Sequence, residues 1–207
     1  MEQKTEEWLQ ARTGVITASM FEAVIGKQKS NKYYAAREAY LYDIAIERIT
    51  GEYKEQVSAK SLSHGIKFEP EARSRYELEK GVLVKEHGFI LHPEYDFIGC
   101  SPDGLIGDDG GIEIKCPIDK KIHLDTLKNG IPNKNKAQVQ GNIWINQREW
   151  WDFVSYNPSF PPELQLYIER IEPDEEYIKN LEEEIIKFEG EVVQMVEELQ
   201  ELINKRK

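Results

Sequence analysis

Nowhere in this chain does a run of apolar residues approach the ~18 that a membrane-spanning helix needs. The opening MEQKTEEWLQ is acidic and lacks an apolar stretch, so no secretory leader is expected. Cysteine is nearly absent. The two present, Cys100 and Cys116, cannot supply the four thiolates of an iron–sulfur cluster. Neither stands at a zinc-binding spacing from His64, His87 or His92, so no structural zinc site is expected. In an intracellular chain both would stay reduced. Internal repeats and low-complexity linkers are missing as well. A chain of 207 residues can bury a substantial core, and one domain (1–207) is the expectation.

Excess positive charge is also lacking: the formal net charge is −11. A polyanion-binding role then depends on how the charge is distributed. Residues 169–207 hold 13 acidic and 6 basic side chains, which leaves residues 1–168 at a net −4. Two stretches are locally basic. Lys27 to Arg37 contains Lys27, Lys29, Lys32 and Arg37 with no acid, and Lys115 to Lys136 sets six lysines against Asp119 and Asp125.

The hydrophobic pattern divides the chain into an N-terminal helical part (1–60), a core (61–172) and a C-terminal helix (173–207). Helices are expected over Thr5 to Arg12, and over Thr17 to Ile25 with a Ser19–Glu22 capping box. A longer one over Tyr33 to Thr50 has an apolar face of Ala36, Tyr40, Ile44 and Ile46. Ser61 to Lys80 follows, with a start or kink expected beside Pro70. Residues 82–117 alternate in character and read as three strands. Helices over Lys120 to Gly130 and Ala137 to Asn146 precede strands over Trp150 to Asn157 and Gln165 to Ile171. This order predicts an α/β (α+β) fold with a mixed central sheet flanked by helices. Beyond it, Ile178, Leu181, Ile185, Phe188, Val192, Met195, Leu199 and Leu202 mark an amphipathic helix, expected to pack back on its own domain.

The segment Ser101-Pro102-Asp103-Gly104, followed by Gly111-Ile112-Glu113-Ile114-Lys115-Cys116-Pro117, carries the chemistry. Side chains two apart on a strand leave the same face. Glu113 and Lys115 therefore point together, while Ile112, Ile114 and Cys116 point to the core. A turn at residues 108–111 brings the strand back beside Asp103. Two carboxylates with an ammonium beside them suit a hard cation such as Mg²⁺, which takes one or two protein carboxylates and keeps several waters. Such an ion polarises a phosphodiester and acidifies a bound water. The competing reading is an exposed hairpin with an ordinary surface ion pair.

Three further blocks accompany this one: Gly65-x-x-x-Glu69, Cys116-Pro117, and Gln138-Val139-Gln140. In this order, from Glu7-Trp8 to about Glu169, the set resembles the phage lambda exonuclease or YqaJ-like viral recombinase family of the PD-(D/E)xK nuclease superfamily. The resemblance implies a restriction-endonuclease-like core and a Mg²⁺-dependent 5′→3′ exonuclease on linear double-stranded DNA, with Mn²⁺ as a substitute metal. It implies Asp103 and Glu113 as metal ligands with the Ile114 carbonyl, Glu69 at a second metal, Lys115 beside the attacking water, and Gln138 in the active site, with Gln140 a weaker candidate. It also implies a 5′-phosphate pocket of Arg12, Ser19 and Ser101, and Leu62 where the strands separate. Some members carry an aspartate upstream of the Pro-Asp pair. Here alignment by length puts Pro93 there, with Glu94 and Asp96 as alternatives.

As partners the resemblance implies DNA ends, a single-strand annealing recombinase and two further copies in a ring-shaped homotrimer. The location implied is the cytoplasm of a bacterial host. Two other functions fit the same core. An endonuclease or resolvase would have no need of Arg12, Ser19 and Ser101, and a silent DNA-binding scaffold would have no need of Asp103, Glu113 and Lys115.

Overall fold

A computed structural model describes residues 3, 5–53 and 59–206 of the chain, the side chains of 59–63 excepted. The expected α/β fold is present, with its strands divided between two sheets. The larger runs β4 (Gly104–Ile106), β5 (Gly110–Lys115), β6 (Trp150–Tyr156) and β7 (Leu166–Ile171) in that order. Its central pair β5–β6 is parallel and both outer pairs are antiparallel, so the sheet is mixed as expected. The smaller sheet orders β1 (Ile16–Thr17), β3 (Ile98–Cys100) and β2 (Ile90–Leu91). Residues 82–117 therefore hold four strands rather than three, split between the sheets. The turn at residues 92–97 and the loop after Cys100 interrupt the alternation that suggested continuous strands.

Helices cover both faces of the larger sheet. Helix α4 (Ala59–Lys80) places Phe68, Ala72 and Tyr76 against Ile112, Ile114, Val154 and Tyr156. On the other face α5 (Lys120–Asn129) and α6 (Asn133–Asn146) cover the sheet, and Val139 and Ile143 of α6 pack on Leu105, Trp151 and Phe153. A central parallel strand buried on both sides is the usual result of this layering. Gly110 and Gly111 open β5 because the rings of Trp150 and Trp151 lie where a Cβ would stand, 2.1 and 2.3 Å away.

Helix α4 does not start or break at Pro70 but runs through it. Pro70 leaves the Ile66 carbonyl without its helical donor. Ile66 is 42% exposed, so water can reach that carbonyl. Helix α3 (Ala35–Thr50) begins two residues later than expected and buries Tyr40 and Ile44 of the expected face but not Ala36 or Ile46. Arg37, Tyr40, Leu41, Ile44, Ala45 and Glu47 are inside, whereas Ala36 is exposed and Ile46 is 47% exposed. The rotation follows from polar contacts that hydropathy does not count. Arg37 pairs with Glu191, and Glu47 accepts the Gly14 N–H at 2.8 Å.

Helix α1 (Glu6–Arg12) is capped by Thr5. The second expected helix is instead strand β1, a 3₁₀ turn at Ala18–Met20 and α2 (Phe21–Ile25), and the Ser19–Glu22 capping box is not formed. Helix α6 starts four residues early, just after Pro132, whose fixed φ is compatible with a helix entrance.

The C-terminal helix α7 (Glu175–Lys205) packs back on the chain, as expected. Leu181, Ile185, Phe188 and Val192 join a core with residues of α2 and α3. Its acidic side chains do not all face away. Glu184 pairs with Lys27 at 2.8 Å, Glu189 with Arg48 at 2.8 Å, and Glu191 with Arg37. The Lys27–Arg37 stretch is thus partly neutralised within the chain.

The buried Asp152 sits between the Tyr76 hydroxyl at 2.6 Å and the Arg170 guanidinium at 2.8 and 3.0 Å. Arg170 is 49% exposed and lies over Trp150, while Asp152 is fully enclosed. Removing Arg170 strands a buried charge, whereas neutralising Asp152 strands none. Urea unfolding should therefore report a loss of about 3 kcal/mol for Arg170→Met and about 1 kcal/mol for Asp152→Asn. The opposite order would contradict this account.

Candidate active site

The β4–β5 hairpin turns through residues 107–109, with Gly107 at φ +55, one residue earlier than the sequence suggested. The register sets Gly104 opposite Ile112, which brings Asp103, just before β4, beside Glu113. Asp103 Oδ2 accepts the Ile114 N–H at 2.6 Å. Glu113 leaves the sheet on the α6 side and is only 2% exposed. Both its oxygens are engaged: Oε1 accepts from Lys115 Nζ at 2.6 Å and Gln138 Nε2 at 2.7 Å, and Oε2 accepts from Asn142 Nδ2 at 3.0 Å and keeps a lone pair free. Lys115 Nζ also donates to Gln138 Oε1 at 3.1 Å.

Asn142 was not anticipated. The available signal was its spacing, since Gln138 and Asn142 lie four apart and share one face of α6.

Electrostatics set the protonation states. Burial pushes the Asp103 carboxyl well above the usual range, and the charges of Glu113 and Glu69 push it further. For Lys115, burial acts to lower the pKa, but Glu113 and Asp103 outweigh it and the net shift is upward. Lys115 is therefore an ammonium, a donor rather than a base. The neighbouring Cys116 thiol is pushed up to about 12, chiefly by burial, so it is no thiolate nucleophile. Both cysteines are free.

These side chains open on a cleft of about 630 Å³ lined by Glu69, Asp103, Glu113, Ile114, Lys115 and Gln138, and also by Arg12, Ser19 and Ser101. Glu69 on α4 is paired with Arg73 at 2.9 Å, the ordinary i,i+4 pairing, yet it still faces the cleft. Arg12, at the end of α1, stacks 4.4 Å from the Trp8 ring centroid and donates to Ser101 Oγ at 2.8 Å. The Trp8 indole N–H donates to the same oxygen at 2.9 Å. Both partners are donors only, so the Ser101 proton is left to point at an acceptor. Ser19 lines the cleft from the 3₁₀ turn, 3.2 Å from Thr17 Oγ1. A three-residue turn carries no helix macrodipole, so Ser19 offers only its own hydroxyl and the turn's N–H groups.

Two expectations fall elsewhere, and a third rests on a side chain outside the described residues. Gln140 is buried rather than exposed, and ties α6 to the residues before α7 through Glu172 and Asp174. Glu94 and Asp96 lie in the β2–β3 turn and do not line the cleft, and Tyr95 between them bonds Glu182 at 2.7 Å. Leu62 belongs to α4, but its side chain lies outside the described residues.

The donor set can be tested against a metal ion. Among the described residues, no three of His, Cys, Asp and Glu are gathered as a ready ligand cage. Asp103 and Glu113 give two oxygen donors and no nitrogen or sulfur. That is a poor match for zinc and a good one for Mg²⁺, which keeps much of its water. The strain on Asp103 is of the kind a bound cation relieves.

The sequence matches the profile of the YqaJ-like viral recombinase domain over residues 7–149. The fold is similar to an alkaline exonuclease (LHK-Exo) from Laribacter hongkongensis, at 38% identity and a TM-score of 0.88, covering 98% of this chain and 100% of that one. A second structure of that protein is in complex with dAMP, with a TM-score of 0.89 over the same coverage. A phage-related exonuclease from Haemophilus somnus 129PT shares the fold at 17% identity and a TM-score of 0.72, over 89% of this chain and 96% of that one. An uncharacterized protein R354 of Acanthamoeba polyphaga mimivirus is 27% identical over 86% of this chain. The chain spans about a third, 32%, of that curated relative's length.

The raised Asp103 pKa has a consequence for stability. A carboxyl that binds its proton more tightly when folded loses stability as pH rises past its unfolded value, ~3.9. The penalty is complete only above the folded value. Asp103→Asn should therefore raise the melting temperature of metal-free protein at pH 8 by about 4 °C, and the gain should vanish near pH 4. A lower melting temperature at pH 8, read by calorimetry in EDTA, would contradict the assignment.

Proposed function

The chain belongs to the YqaJ-like viral recombinase domain family, and on that premise we propose that it is a metal-dependent nuclease digesting linear double-stranded DNA from 5′ ends. The observation that carries the reading is the convergence of two sites in one cleft. A carboxylate pair with an ammonium, Asp103, Glu113 and Lys115, shares it with a donor cluster, Arg12 and Ser101. The first suits a cation and a scissile phosphodiester, and the second suits a terminal phosphate. An exonuclease acting from a 5′ end needs both.

Asp103 and Glu113 would hold Mg²⁺, or Mn²⁺ in its place, with the Ile114 carbonyl as a third oxygen and Glu69 serving a second ion. When bound, the ion polarises the phosphodiester and lowers the pKa of a water. Lys115, an ammonium, orients the attacking water and stabilises its developing hydroxide. Gln138 bonds both Lys115 and Glu113 and holds them in register. Arg12 takes the 5′-phosphate through its guanidinium, Ser101 adds its free O–H, and Ser19 lines the same cleft. Leu62 is proposed to part the strands ahead of the site. The dAMP complex of the Laribacter exonuclease accords with a 5′-mononucleotide product.

Digestion of this kind leaves 3′ single-stranded tails, the substrate of an annealing recombinase in a bacterial host's cytoplasm. Among the described residues no helix is long and apolar enough to cross a membrane. A ring of three copies around the duplex is proposed with it, and light scattering should report about three times the 24.1 kDa chain mass.

The test is a linear duplex labelled at either end, with and without a 5′-phosphate, digested in Mg²⁺. Label should leave from 5′ ends, and phosphorylated ends should go faster. Glu113→Ala should fall below about 1% of the wild-type rate. Arg12→Ala should lose the preference for phosphorylated ends while still cutting. Internal cleavage of closed circles would favour an endonuclease, and binding without cutting would favour a scaffold.

A further inference from the structure

Two buried polar side chains, Ser155 at the cleft and His123 behind it, take no part in the chemistry above. His123 of α5 and Ser155 of β6 are both enclosed, with His123 Nδ1 2.8 Å from Ser155 Oγ and Nε2 2.8 Å from the Leu164 carbonyl oxygen. A carbonyl only accepts, so Nε2 carries a proton. In the neutral ring Nδ1 then has only a lone pair, and the Ser155 hydroxyl must donate to it. The Ser155 proton is thereby committed away from the cleft. Its oxygen lone pairs remain, and Ser155 lines the cleft.

Ser155 is also the register partner of Lys115 across the parallel β5–β6 pair, so both side chains leave the same face of the sheet. Lys115 spends two of its three N–H groups on Glu113 Oε1 and Gln138 Oε1. Once Glu113 turns its charge to a cation, the ammonium loses its strongest partner. A partly buried ammonium left short of acceptors is costly. The adjacent acceptor on its own face of the sheet is the one that His123 has prepared.

We propose that Ser155, fixed as an acceptor by His123, is a positioning residue that takes the Lys115 ammonium when Glu113 is engaged by a cation. It thereby keeps Lys115 aimed at the attacking water. The proposal rests on the nuclease reading above and adds to it a residue pair outside the motif.

Two measurements test it. Imidazole ¹⁵N spectra of the metal-free wild type at pH 8 should show His123 as the Nε2–H tautomer. A ring protonated at Nδ1 overturns the proposal whether or not the protein cuts DNA. In the duplex assay, Ser155→Ala should lower kcat about tenfold with KM within about twofold of wild type, the signature of a lost contact to a charged group in the reaction step. A Ser155→Ala variant with wild-type kcat, or with only KM raised, overturns it. A wild-type protein that leaves DNA ends intact overturns the nuclease reading itself, an outcome distinct from an active wild type with an equally active variant.

Discussion

A carboxylate closed off from water, Glu113, is the constraint around which the rest of the molecule is arranged. A buried, ionised group stays in a fold only if its oxygens are paired. Here the partners come from two elements: Lys115 on the same strand, and Gln138 and Asn142 on α6. That requirement fixes the rotation and height of α6 on the sheet, and with them the apolar contacts of Val139 and Ile143. The same helix presents Gln140 backward to anchor the residues before α7. Asp103, held by the Ile114 N–H, then stands where its own charge is unwelcome. The protein thus keeps two carboxylates close together, a preorganised arrangement suited to the cation proposed above.

The acidic balance of the chain follows a second logic. Helix α7 supplies counter-charges to Lys27, Arg37 and Arg48. Much of its negative charge therefore serves to hold the N-terminal helices. The cleft keeps its own cations, Arg12 and Lys115, with Lys134 at its edge. A net charge of −11 does not by itself oppose a polyanionic substrate, because Arg12 and Lys115 are local to the cleft and partly enclosed, and the proposed cation would offset the cleft's own carboxylates Glu69, Asp103 and Glu113.

Period-two alternation was enough to put Glu113 and Lys115 on one face, because strand geometry alone determines that juxtaposition, whereas Asp103 joins them through the hairpin register, whose turn lies a residue earlier than read. The helices with regular apolar spacing, α4 to α7, were legible for the same reason, within a few residues at their ends. What escaped was decided by tertiary pairing. The inward turn of Arg37 and Glu47 depends on Glu191 and on the Gly14 N–H, far away in sequence. Ser19 was misjudged as a helix cap because its spacing to Glu22 fits a capping box that the 3₁₀ turn does not make. Asn142, His123 and Ser155 carried no motif of their own. They become meaningful only when α5 and α6 lie on the sheet.

The central claim is that Asp103 and Glu113 together hold a divalent cation in this cleft. Anomalous diffraction from crystals soaked in Mn²⁺ tests it most directly. The account predicts a strong peak between the Asp103 and Glu113 carboxylates, separate from any second ion at Glu69, with waters completing its shell, and no such peak in crystals of Glu113→Ala. An empty carboxylate pair at saturating Mn²⁺ would contradict it.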